Sequence, residues 1–96
     1  MMEDSMNGSP APSAHAETER TLVQIWSEVL NTAPIGIYDD FLSLGGDSLA
    51  ATRCINRVIA AFGVEVPLEL FLLNSANIAQ VASEIERILH NARENA

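Results

Sequence analysis

The stretch Leu44-Gly45-Gly46-Asp47-Ser48-Leu49 sets two glycines and an acid directly ahead of a long run of apolar residues at helical spacing. Glycines lack Cβ atoms and reach positive φ, so the pair permits a sharp turn and lets another protein approach the backbone closely. Asp47 and Ser48 are residue types that cap helices by accepting hydrogen bonds from the first amides. The stretch therefore marks a helix start and delivers the Ser48 hydroxyl to it. Amides left unpaired in a first turn, with the positive end of the helix dipole, favour a phosphate or phosphodiester at that place. By themselves these six residues read as ordinary capping as well as a modification site, and the surrounding sequence has to separate the two.

Downstream, a helix is predicted from about Ser48 to Ala61. Ala51, Cys54, Ile55, Val58, Ile59 and Phe62 gather on one side at 3.6-residue spacing and should face the core. Arg53, Asn56 and Arg57 lie opposite, and Leu49 and Ala60 fall within that polar sector. Leu49 is thus predicted to be exposed one residue beyond Ser48. Leu49, Ala50, Arg53 and Arg57 make a candidate docking face, with Leu49 supplying apolar contact and the arginines charge selectivity. Gly63 is the expected C-cap, followed by a short helical turn around Leu68 to Leu73. A last helix, about Ser75 to His90, repeats the pattern at Ile78, Val81, Ala82, Ile85, Ile88 and Leu89, with Asn74, Ser75 and Asn77 as credible caps. Asn91 to Ala96 is expected to fray.

Upstream, Thr32 to Asp47 is too irregular for helix or strand. Ile35, Ile37, Tyr38, Phe41 and Leu44 are read as anchors pinning it across the core, with Asp39 and Asp40 in solvent. A strand at Ile35 to Tyr38 would have no second strand to pair with. Before it, Leu22, Ile25, Trp26, Val29 and Leu30 form one apolar stripe of a helix that starts near Ala16, with Thr18 and Glu19 as starting residues and Asn31 and Pro34 marking its end. Residues 1–16 have the composition of a linker, which places one domain at 17–90 and a tail at 91–96. The expectation is an all-α bundle of three long helices and one short helix.

Composition narrows the function. Five arginines and no lysine face thirteen acids, a net charge of −8 that repels a nucleic-acid backbone. No run approaches the roughly 20 apolar residues of a membrane span, and the head lacks the basic start and apolar centre of a signal peptide, so a soluble cytoplasmic monomer is expected. Cys54 is the single cysteine and is expected to be a buried structural thiol. His15 and His90 belong to no cluster with metal-ligand spacing. At 96 residues there is no room for a conventional catalytic domain, and a Ser/His/Asp triad at Ser48 would have to recruit one of those distant histidines.

The longer string Tyr38-Asp39-Asp40-Phe41-Leu42-Ser43-Leu44-Gly45-Gly46-Asp47-Ser48-Leu49, continuing through Ala51-Thr52-Arg53 and again at Phe62-Gly63-Val64-Glu65-Val66-Pro67-Leu68, resembles the peptidyl carrier proteins, or thiolation domains, of nonribosomal peptide synthesis. The resemblance covers roughly Glu19 to Leu89 and implies a small four-helix carrier bundle. It implies that Ser48 carries a covalent 4′-phosphopantetheine arm whose thiol holds an aminoacyl or peptidyl group, with Gly46 and Asp47 as flanking recognition residues. It also implies a non-catalytic carrier. Its partners would be a phosphopantetheinyl transferase, an adenylation enzyme, and condensation, epimerisation, tailoring or thioesterase domains.

Two departures stand out. The family's usual Pro-Thr pair before the last helix is absent from Phe71-Leu72-Leu73-Asn74-Ser75-Ala76-Asn77-Ile78, which points to a locally different loop. Asp47 stands where many carriers serving condensation domains have histidine. Beside the peptidyl carrier stand two further readings. One is an acyl carrier of polyketide or fatty-acid type, disfavoured by Gly45-Gly46 and by Arg53 and Arg57; the other is a helical interaction module that is never modified.

Overall fold

The computed structural model describes residues 14–72 and 76–95. Four helices follow one another: α1 (Ala14–Leu30), α2 (Ser48–Phe62), α3 (Glu69–Leu72) and α4 (Ile78–Asn95). No strand occurs among the described residues, which leaves Ile35 to Tyr38 as irregular backbone. Helix α1 packs on both α2 and α4, and α3 packs on α2. The bundle agrees with the expected three long helices and one short one.

The helix ends follow from local chemistry. Asn31 adopts φ 53° after α1, and the Thr32 amide reaches back to the Ser27 carbonyl at 3.1 Å, so a left-handed residue closes the helix where the sequence placed its stop. Gly63 does the same for α2, with φ 71° and its amide on the Ile59 carbonyl. Asn77 is the cap of α4, because its Oδ1 accepts the Gln80 amide at 2.9 Å. That moves the start of α4 to Ile78, later than the Ser75 expected, while the helix runs on to Asn95 through the segment expected to fray. Asn74, Ser75 and Leu73 lie outside the described residues.

Helix α1 also begins earlier than its apolar stripe suggests. Ala14, His15 and Ala16, assigned from composition to the linker, are helical. Thr18, read as a starting residue, is buried one turn inside the helix, and its Oγ1 donates to Glu86 Oε2 on α4 at 2.9 Å. His15 lies beside the same carboxylate, with Nε2 2.8 Å from Glu19 Oε2 and Nδ1 3.5 Å from Glu86 Oε1. The polar start of α1 is thereby tied to α4, an arrangement that a stripe of apolar residues cannot reveal.

Burial follows helical periodicity in the centre of each stripe and departs from it at the edges. Leu22, Ile25 and Trp26 of α1, Ala51, Cys54 and Val58 of α2, and Ile78, Val81, Ala82 and Ile85 of α4 are buried. At the middle of the bundle Trp26, Phe41 and Phe71 form an aromatic trio, with Phe41 edge-on to both neighbours at centroid distances of 4.9 and 5.3 Å. Two expected core residues are instead exposed. Ile59 sits at the rim of the α2 stripe and is 41% exposed. Tyr38 projects into solvent as a central residue of a tight turn, in which the Asp39 amide donates back to the Gly36 carbonyl at 3.1 Å while the other central residue, Ile37, is half-buried.

Candidate functional site

The loop from Ile35 to Asp47 is held by its own polar groups and by one aromatic ring. Asp39 Oδ2 accepts the Gly36 amide at 2.8 Å, and Asp40 Oδ2 accepts both the Ser43 amide and its hydroxyl at 2.9 Å. These acids are thus turn-forming groups as well as surface charges. The Ile37 carbonyl accepts from Ala79, and the Phe41 amide donates to the Ala76 carbonyl at 2.8 Å, so the loop is stitched to the start of α4. Phe41 then plugs the core, and its carbonyl accepts the amides of both Leu44 and Gly46.

This arrangement gives the two glycines separate duties. Gly45 has φ +97°, a conformation that side chains disfavour, and a Cβ built there would meet nothing within 4 Å. Gly46 has an ordinary φ but lies flat on Phe41, where an added Cβ would fall 2.3 Å from the ring. One glycine makes the turn, and the other makes the close contact that seats the turn on the core.

Ser48 follows as the exposed first residue of α2. Asp47, with extended backbone at φ −150° and ψ −173°, caps the helix: Oδ1 accepts the Ala50 amide at 2.8 Å, and its carbonyl accepts Ala51 at 2.8 Å. The amides of Ser48 and Leu49 precede any intrahelical acceptor and remain at the positive end of a 15-residue helix. An exposed hydroxyl, open space over Gly45 and amide donors at a dipole end suit a covalently attached phosphodiester. The two readings of the six-residue stretch do not compete, because Asp47 supplies the cap and leaves the serine hydroxyl outside it.

Beyond Ser48 the outward face of α2 carries Leu49, 62% exposed, and then Arg53 and Arg57, both exposed; Ala50 is half-buried beside them. The two arginines differ in their surroundings. Arg57 Nη1 lies 2.5 Å from Glu28 Oε1 on α1, whereas Arg53 has no ion pair among the described residues. Leu42, in the loop before the glycines, is 44% exposed, a second large apolar side chain in solvent that periodicity alone did not single out.

Cys54 is on the inner side of the same helix and fully buried. Burial pushes its thiol up to about 12, with the charge of Arg57 opposing the rise. It is an inert packing group under ordinary conditions. Among the described residues no group of His, Cys, Asp and Glu is arranged to hold a metal, and no helix is long and apolar enough to cross a membrane.

Residues 20–87 match the family described as the phosphopantetheine attachment site. Tyrocidine synthase 3 of Brevibacillus parabrevis is 42% identical over 78 residues, covering 81% of this chain and 1% of that protein. Surfactin synthase subunit 3 of Bacillus subtilis (strain 168) is 41% identical over 70 residues, which is 73% of this chain and 5% of the synthase. The chain therefore spans a small part of each of these relatives. Among solved structures, the phosphopantetheine transferase Sfp in complex with coenzyme A and a peptidyl carrier protein contains a similar chain, with a TM-score of 0.69 and 31% identity over 73% of this chain and 90% of that one.

Proposed function

This chain belongs to the phosphopantetheine attachment family, and on that premise we propose that Ser48 is its attachment residue, with Gly46 and Asp47 flanking it as recognition elements. It is a carrier domain of the type found in nonribosomal peptide synthetases, whose cofactor is 4′-phosphopantetheine. The observation that supports the assignment to Ser48 is the pairing of an exposed hydroxyl with a glycine turn seated on Phe41 at the N-terminus of α2. When bound, the arm supplies a terminal thiol that holds an aminoacyl or peptidyl group as a thioester.

The residues of the chain present, orient and dock. Ser48 Oγ forms the new phosphodiester bond while its proton passes to the transferase and the adenosine bisphosphate portion of coenzyme A departs. Asp47 fixes the backbone at this point through the Ala50 amide and is itself exposed to the approaching enzyme. Leu49, Ala50, Arg53 and Arg57 form the surface on which the transferase and the adenylation enzyme settle, with Leu49 entering an apolar pocket of the partner. Condensation, epimerisation, tailoring or thioesterase domains would use the same approach. On this reading catalysis belongs to those partners. Tethering raises the effective concentration of the cargo at each partner site.

Intact mass before and after incubation with coenzyme A and a phosphopantetheinyl transferase tests the assignment. A gain of one phosphopantetheinyl group by the wild type and none by Ser48→Ala is the expected result. No gain in a folded wild-type sample would return Gly45 to Ser48 to the role of a capping loop.

A further inference from the structure

Leu49, Arg53 and Arg57 are four residues apart along α2 and so form a single row leading away from Ser48. At the far end the row meets α1. A shallow groove there is lined by Glu28 and Val29 of α1 and by Arg53, Asn56, Arg57 and Ala60 of α2. Two of its lining residues, Glu28 and Arg57, form an ion pair across 29 positions of the chain and are both about half exposed, at 51% and 49%. A pair this wet adds little to the fold, because solvent screens it and two long side chains must be held still. The same wetness makes it exchangeable. A guanidinium keeps most of its N–H donors free after one carboxylate contact, and a second carboxylate brought alongside would both attract Arg57 and repel Glu28.

Resting on the docking role given above to Leu49, Arg53 and Arg57, we propose that the docking surface extends across this groove onto α1, and that Glu28 is an internal competitor for the partner's anionic group. The occupant is a protein surface that presents a carboxylate next to an apolar pocket: the pocket takes Leu49, and the carboxylate replaces Glu28 on Arg57. Charge complementarity carries the choice. The chain as a whole is acidic at −8, yet this one row offers two arginines, one already open and one held by a single replaceable acid. Glu28 thus sets a threshold: a neutral or basic partner surface leaves the internal pair intact, whereas a correctly placed acid exchanges with it at no net loss of ion pairs. Partner discrimination then lies partly on α1, outside the motif around Ser48.

The experiment uses the full chain as wild type, Glu28→Gln, Arg57→Gln and the double variant, with Leu49→Ala and Arg53→Glu as controls for the docking surface itself. Two probes are measured: the rate of Ser48 modification by a phosphopantetheinyl transferase at limiting carrier concentration, and aminoacylation of the modified chain by an adenylation enzyme that loads amino acids onto peptidyl carriers. Glu28→Gln should raise kcat/KM for at least one probe by about two- to five-fold, the range available to one half-exposed ion pair. Arg57→Gln should lower it, and the gain from Glu28→Gln should vanish in the Arg57→Gln background. The side-chain ¹⁵N signal of Arg57 should move on adding that probe, and the melting temperature of Glu28→Gln should stay within about 4 °C of the wild type. The proposal is overturned if neither probe speeds up with Glu28→Gln, or if the gain persists without Arg57. When Leu49→Ala and Arg53→Glu slow loading in the same series, that failure belongs to Glu28 alone; when they too have no effect, the docking surface itself is wrong.

Discussion

Gly46 has no room for a side chain, because the face of Phe41 already occupies the place a Cβ would take. Gly46→Ala must therefore shift the ring or lift the loop, and is expected to cost about 1 to 3 kcal/mol. Urea unfolding measures this cost, and Ser48 modification in the still-folded fraction should slow as well, since the same loop presents the serine. Asp47 offers a finer separation of roles. Asp47→Ala removes the acceptor for the Ala50 amide and should cost about 1 kcal/mol, while Asp47→Asn keeps a capping oxygen and should stay near wild type in stability. If Asp47→Asn nevertheless modifies slowly, the charge acts on the transferase and not on the helix. Cys54 gives the chain a pH dependence of known sign. Burial raises its thiol from the ordinary 9.0 to about 12, so between those values the unfolded chain loses a proton that the folded chain keeps. Its contribution is complete below pH 9 and declines as pH rises toward 12. Stability at pH 10 relative to pH 7 should drop more in the wild type than in Cys54→Ala, as followed by urea titration; equal drops would show that the thiol titrates as it does in the unfolded chain.

Each helix stops for a reason that sits at its end. Gly63 holds φ 71° to close α2, and a Cβ there meets open space, so the penalty of Gly63→Ala is purely conformational. It should amount to about 1 to 2 kcal/mol, read as a lowered urea midpoint with an unchanged slope. Asn31 already occupies the same region after α1 and marks the site where the converse change, Asn31→Gly, should be neutral or slightly stabilising. Helix α3 is a different kind of element. It buries Phe71, while Leu68 just before it and Ile59 of α2 line one open groove and are 38% and 41% exposed.

The molecule is held together by an aromatic trio to which a helix, a loop and the short helix each contribute one ring. Trp26 comes from α1, Phe41 from the loop that presents the glycine turn, and Phe71 from α3. Phe41 is therefore a structural link between the core and the candidate site. Phe41→Ala should cost about 3 to 5 kcal/mol, a large share of the roughly 5 to 15 kcal/mol available to a domain of this class. Trp26 fluorescence during urea unfolding reports that loss. At low denaturant, where the variant remains folded, Ser48 modification should be impaired more than the loss of helicity accounts for, because the turn has lost its seat.

Much of this was legible in the order of residues, and the particular misses explain the rest. Helical spacing named the buried centres of α1, α2 and α4, glycine and asparagine marked their ends, and the string around Ser48 pointed to a carrier, because all of these are properties of a residue and its near neighbours. Ile59 was expected inside and lies outside, since the fate of a residue at the rim of a stripe depends on what another element covers, and Tyr38 does so because it falls at the centre of a turn. Thr18 read as a helix start but is buried against Glu86, 68 residues away. Gly46 was legible as a glycine, yet the ring that requires it was not, and nothing in the chain order sets Glu28 beside Arg57. Sequence by itself determined the helices, their caps and the chemistry delivered to the start of α2, because those forces act over one or two turns. Tertiary structure alone decided which side chains meet across helices, because such pairs depend on how whole elements cross, and the periodicity of a single segment carries no record of that crossing.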